Sequence, residues 1–99
     1  MNIKEFKLLL AESKFTPKEV LEILAKDKDW CIRTCVAQNP ETSKEILKLL
    51  TKDKDYLVRA FITENPNTSI EIFEILEKDV NHYVRNSAIT FKKYYLFFK

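Results

Sequence analysis

At 99 residues the chain is long enough for one hydrophobic core but shorter than most enzymes with an enclosed pocket, so its function is expected on a surface. Hydrophobic residues make up 45% and charged residues 32%, which excludes a disordered chain. No glycine and only three prolines disfavour tight hairpins and phosphate-cradling loops.

The formal net charge of +2 conceals an asymmetry. Lys92, Lys93 and Lys99 form a basic end with no acid among residues 92–99, over a body of net charge −1. Dedicated nucleic-acid binders spread positive charge along a face, so this signature is weak. The apolar runs are short and broken by charge, so neither a signal peptide nor a membrane span is expected. Two cysteines, Cys31 and Cys35, cannot build a disulfide framework. The expected setting is cytoplasmic, with no membrane partner.

In chain order, residues 2–12 read as a leading helix. Asn2 and Glu5 have capping-box spacing, and Phe6 and Leu10 share one face. From Thr16 the chain repeats every 26 residues: TPKEVLEILAKDKDWCIRTCVAQNP from Thr16, TSKEILKLLTKDKDYLVRAFITENP from Thr42 and TSIEIFEILEKDVNHYVRNSAITFK from Thr68. Such self-similarity marks an array of stacked units.

Each unit reads as two short helices. Thr16, Thr42 and Thr68 are predicted to cap the first, each with a glutamate three residues later (Glu19, Glu45, Glu71), and Pro17 suits a first helical position. Apolar residues at 20, 21, 23 and 24, and at the equivalent positions 26 and 52 residues on, make a broad stripe at helical spacing. The second helix starts after the Lys-Asp run, capped by Asp29, Asp55 or Asn81, and stops at Asn39-Pro40 or Asn65-Pro66. Its core face carries Cys31, Ile32, Cys35 and Val36, or Leu57, Val58, Phe61 and Ile62. In the third unit Phe91-Lys92 replaces Asn-Pro, so that helix is expected to run from Asn81 to about Phe98.

The pattern L-x-x-L-x-x-D-x-D-x-x-V-R-x-x-V-A-x-N-P-x-T-x-x-x-L, over residues 16–91, resembles the leucine-rich repeat variant family, which is similar in style to HEAT repeats. The resemblance implies a right-handed α-solenoid acting as an interaction scaffold. The unit here is longer than the family's usual one. The cysteine-rich iron–sulfur segment of one founding member type has no counterpart, so no cofactor is implied. The expected organisation is one all-α domain of about seven short helices: a capping helix (1–15), repeats over 16–41, 42–67 and 68–91, and a C-terminal cap (92–99).

Several groups suggest chemistry. Asp27, Asp29, Asp53 and Asp55 have the density of a hard-cation site, but the intervening lysines and the absence of a shaping glycine favour helix capping, and no metal is expected. Cys31 and Cys35 at i, i+4 lack the further ligands a metal needs and read as core thiols. No nucleophile–base pair is recognisable, with His82 the only histidine, so no catalytic residue is assigned.

Only three of the 17 Lys and Arg residues are arginine, and Arg33, Arg59 and Arg85 stand 26 apart. Arginine kept at one repeat position points to use of its planar fork. The fork could bind an aspartate four residues earlier or neighbouring loop carbonyls, as in HEAT-type Asp/Arg ladders, or form an anion-binding row. Trp30, Tyr56 and His82 share the arginine's face with Thr34, Ala60 and Asn86. That column fits a docking surface, or arginine stacking on the aromatics of its own helix. Phe91, Tyr94, Tyr95 and Phe98 form an aromatic stripe at the C-terminus, where five of the twelve aromatics fall in the last nine residues. It is expected to fold back as a cap or to mediate self-association, with membrane-surface contact a distant alternative.

The expectation is a non-catalytic helical-repeat scaffold for protein–protein interaction. Partner-binding candidates are Trp30, Arg33, Tyr56, Arg59, His82 and Arg85. The rival is a HEAT-like nucleic-acid binder using those arginines and the tail lysines on phosphates.

Overall fold

The computed structural model describes residues 1–99. It holds seven helices and no strand: α1 (Ile3–Glu12), α2 (Lys18–Leu24), α3 (Trp30–Gln38), α4 (Lys44–Leu50), α5 (Tyr56–Ile62), α6 (Ile70–Leu76) and α7 (His82–Phe98). The all-helical class and the number of helices match the expectation from sequence. α7 runs through Phe91-Lys92 to Phe98, since no proline stops it there.

The start of each second helix follows from its cap. The side chains of Asp29, Asp55 and Asn81 accept from the N–H groups of Cys31, Leu57 and Tyr83 at 2.8–2.9 Å, satisfying a first-turn donor that has no partner within the helix.

The first helices begin one residue later than expected. Ser43 and Ser69, not Thr42 and Thr68, are the N-caps, accepting from Ile46 and Ile72 at 3.2 and 3.3 Å. Pro17 takes the cap position of α2 without a side-chain bond, rather than the first helical position. Thr16, Thr42 and Thr68 point backward instead, donating to the carbonyls of Leu10, Val36 and Ile62 at 2.5–2.6 Å. Those carbonyls lie in the last turn of the preceding helix, where the usual intrahelical donor is missing. A hydroxyl six residues on reaches them, and the adjacent serine is left to cap.

α3 packs against both α1 and α5, α5 packs against α7, and each of α2, α4 and α6 lies on the second helix that follows it. Leu21, Ile32, Val36, Leu47, Val58, Ile62, Ile72, Leu76 and Val84 are fully buried between these elements, each contributing roughly 1.5–3 kcal/mol of apolar burial.

Buried asparagines join one unit to the last. Asn39 Nδ2 donates to the carbonyls of Ala11 and Ser13 at 2.8 and 2.9 Å. Asn65 repeats the pattern on Ala37 and Asn39 at 2.7 and 2.9 Å. Each Oδ1 accepts from the backbone N–H two residues on, at 2.8 Å. Asparagine before proline therefore satisfies the carbonyls at the end of the previous helix; Asn39 also ends α3 as its C-cap, whereas α5 stops earlier than expected, at Ile62 with Thr63 as its C-cap. In the third unit that position is Phe91, which has no amide to donate.

Candidate interaction surfaces

The arginines divide into two closed rungs and one open one. Arg33 Nε and Nη2 hold Asp53 Oδ2 and Oδ1 at 2.7 and 3.2 Å, while Nη1 donates to the Asp27 carbonyl at 2.7 Å. Arg59 grips Asp79 through the same two atoms at 2.8 and 3.1 Å, with Nη1 on the Asp53 carbonyl at 2.6 Å. The aspartate therefore comes from the following unit, 20 residues on. The sequence suggested one four residues earlier, but Asp29 and Asp55 are committed to capping α3 and α5. The carboxylate of the rung also orders its own junction, since Asp53 Oδ1 accepts from Asp55 N–H at 2.9 Å.

This geometry leaves Arg33 and Arg59 without a free Nε–Nη2 edge to offer a partner. Arg33 is 6% exposed and Arg59 is half-buried, and the Nε–Nη2 edge of each faces a carboxylate of the same chain. The Asp53 carboxylate holds the Arg33 guanidinium still more firmly protonated than usual. A phosphate row on these residues would have to displace a bidentate, charge-assisted pair. Lys7 stands where the rung precedes Arg33 by one unit and binds Asp27 Oδ2 at 2.9 Å. That bond, with the Asp29 N–H, holds the Asp27 carboxyl below the ordinary carboxylate range.

Arg85 is the open rung. Nη1 donates to the carbonyls of Asp79 and Val80 at 2.7 and 3.1 Å, so the guanidinium is anchored as in the other two. Its Nε and Nη2 meet no carboxylate.

The aromatic column is accessible but is not an aromatic–arginine stack. Trp30, Tyr56 and His82 are exposed, while the neighbouring guanidinium groups turn into the junctions. Tyr56 packs edge-on against Tyr83, with ring centroids 6.2 Å apart. Tyr83 occupies the Cys31 and Leu57 position, which the sequence assigned to the core. Thr34 and Ala60, expected to share the column's face, are buried under the next helix, and only Asn86 stays exposed.

The cysteines occupy the seam between α1 and α3 rather than the centre of the core, and both are half-buried. Cys35 Sγ lies 3.7 Å from Glu12 Oε1. Burial, and then the Glu12 carboxylate, push that thiol up to about 11.

The C-terminal stripe is only partly covered. Tyr95 meets Phe73 at 5.9 Å between centroids, and Lys92 pairs with Glu77 at 2.8 Å, fixing α7 to the end of α6. Yet Phe91, Tyr94, Tyr95 and Phe98 are 40–80% exposed. With Phe73, residues 63–66, Thr68 and Lys99 they line an open groove of ≈ 440 Å³. The groove lies where Asn39 and Asn65 fill the corresponding place in the earlier units. Phe73 and the loop could have been found from the missing third Asn-Pro, which signals that the end of α5 lacks its usual cover.

No helix is long and apolar enough to cross a membrane. Comparison with known protein families, curated proteins and solved structures found no match.

Proposed function

We propose that this chain is a right-handed α-solenoid of the leucine-rich repeat variant or HEAT-like kind, working in the cytoplasm as a non-catalytic scaffold that binds another protein. The observation that carries the reading is the groove along α7. Four aromatic side chains stay substantially exposed there on a helix tied to α6 through Lys92 and Tyr95. Large aromatics held in place beside polar backbone are the residue types that dominate protein-binding hot spots, because they bury much area at little entropic cost. The nucleic-acid reading loses support because two of its three arginines are already neutralised by Asp53 and Asp79.

The test replaces Tyr94, Tyr95 and Phe98 together by serine. The expected result is loss of partner capture from a native extract with little change in thermal stability. Retained capture with a sharply lowered Tm would make the stripe a cap and refute the reading. Tight binding to a nucleic-acid duplex that weakens steeply with salt would favour the rival.

A further inference from the structure

The geometry points to the outer face of α7, centred on Arg85, as a seat for an amphipathic helix of a partner protein whose leading turn carries an aspartate. This inference rests on the protein-binding reading and names the chemistry of the partner.

The closed rungs define what the open one accepts. In both, the Nη1 side of the guanidinium is tied to the carbonyls of its own junction, and the Nε–Nη2 edge takes a carboxylate in parallel, bidentate fashion. That aspartate always sits in the turn before a helix which then packs alongside: Asp53 before α5 on α3, Asp79 before α7 on α5. Arg85 keeps the same anchor on Asp79 and Val80, so its free edge is held ready rather than swinging in solvent. A planar fork fixed in this way selects a carboxylate by shape as well as by charge.

The surface around Arg85 favours a helix over a phosphate backbone. At about 100° per residue, Ile89 and Leu96 fall within about 40° of Arg85 on the α7 wheel. Ile89 and Leu96 are about half exposed, and Phe97 next to them is exposed further. On α5 and just past its end the positions equivalent to Asn86 and Ile89 are Ala60 and Thr63, both buried, and Thr63 Oγ1 lies 2.7 Å from Ser87 Oγ of α7. The chain has thus built two such helix seats and filled them, and α7 presents a third, floored by Asn86, Ile89 and Leu96 with the exposed Lys93 beside them and with Lys92 turned to Glu77. Ile89 and Leu96 offer a phosphate backbone no donor, and Lys92 is already paired with Glu77, so only Arg85 and Lys93 would meet its charge, fewer cations than a phosphate-binding row needs.

The probe is a 15-residue acetylated peptide that begins Lys-Asp-Lys-Asp and continues as an amphipathic Ala/Leu/Lys helix. It is titrated into the isotope-labelled full chain. The expected result is a saturable shift of the Arg85 Nε–H resonance and of the Ile89 and Leu96 methyl groups. A peptide with Asn for the first Asp should bind at least tenfold more weakly, and Arg85→Lys should lose about as much, because it keeps the charge but not the fork. Unchanged dispersion of the other resonances verifies that the variant is folded.

Equal binding of the Asp and Asn peptides, or shifts confined to the groove of Phe91 and Phe98, would overturn the assignment. So would a concentration-dependent rise in mass that Arg85→Ala abolishes, since the occupant would then be a second copy of the chain. A nucleic-acid duplex shifting Arg85 where the peptide does not would also overturn it. If the peptide fails while the serine variant of the groove still loses its partner, the scaffold reading stands and only the Arg85 seat falls.

Discussion

Arg33 and Asp53 meet edge to edge across two units, Nε to Oδ2 at 2.7 Å and Nη2 to Oδ1 at 3.2 Å, with both side chains under a tenth exposed. Removing one member leaves the other charged and cut off from water. Arg33→Ala or Asp53→Ala is therefore expected to cost about 3–5 kcal/mol. Arg85→Ala, which breaks no ion pair, should cost about 1 kcal/mol. Chemical denaturation of the three variants gives the ranking, and a double-mutant cycle on Arg33 and Asp53 should return a coupling above about 1 kcal/mol.

Asn39 satisfies two carbonyls at the end of α1 while its own Oδ1 is held by Glu41 N–H. Asn39→Ala removes all three bonds in a buried place, with an expected loss of about 2–3 kcal/mol. Asn39→Asp should be no milder, because a carboxylate cannot donate to the Ala11 and Ser13 carbonyls. Hydrogen exchange of the α1 amides should accelerate in both variants before that of α5.

Thr34 is buried, and its hydroxyl has no hydrogen-bond partner. Thr34→Val keeps the shape and removes the unsatisfied group. Stability is expected to rise by about 1 kcal/mol, or roughly 4–8 °C in Tm for a domain of this size. An unchanged or lowered Tm would contradict this account of the site.

Asp27 and Asp29 are both held below the ordinary carboxylate value of 3.8, by Lys7 first for Asp27 and by the Cys31 N–H first for Asp29. Carboxylates with depressed folded-state values stabilise the fold above 3.8, and that contribution is lost as pH falls through the depressed values. The urea midpoint should hold from neutrality down to about pH 4 and then fall. In Lys7→Gln the fall below that point should be shallower, since the main cause of the Asp27 shift is gone.

The Cys35 thiol, pushed up to about 11 from an ordinary 9.0, should alkylate at mildly alkaline pH about 100-fold more slowly than a free cysteine, because only the thiolate reacts. Mass spectrometry of iodoacetamide-treated Cys31→Ser protein reads the rate. Glu12→Gln should quicken it modestly, since burial is the larger cause.

Much of this architecture is legible in the sequence because it depends on single residues acting locally. Asp29, Asp55 and Asn81 cap the helices they precede, Asn39-Pro40 ends α3, and Phe91-Lys92 lets α7 continue. What could not be read this way spans the junctions. Arg33 has a carboxylate four residues before it and another 20 residues after it, and only packing of α3 on α5 decides between them. Thr42 and Ser43 are both competent N-caps, and the choice falls to the neighbour because the Val36 carbonyl claims the threonine. The column of Trp30, Tyr56 and His82 is visible from spacing alone. The burial of Thr34 and Ala60 is not, since a wheel shows which residues share a face and not which helix will cover it.

The bonds that stitch the units together span 20 to 28 residues, from Lys7 on Asp27 to Asn65 on Ala37. Each unit is therefore tied to its immediate neighbour alone, as links are in a chain. Under tension applied at its two ends, such a molecule yields as a zipper does, one rung of arginine and asparagine after another. Its resistance at each step is set by the local junction and not by the size of the whole.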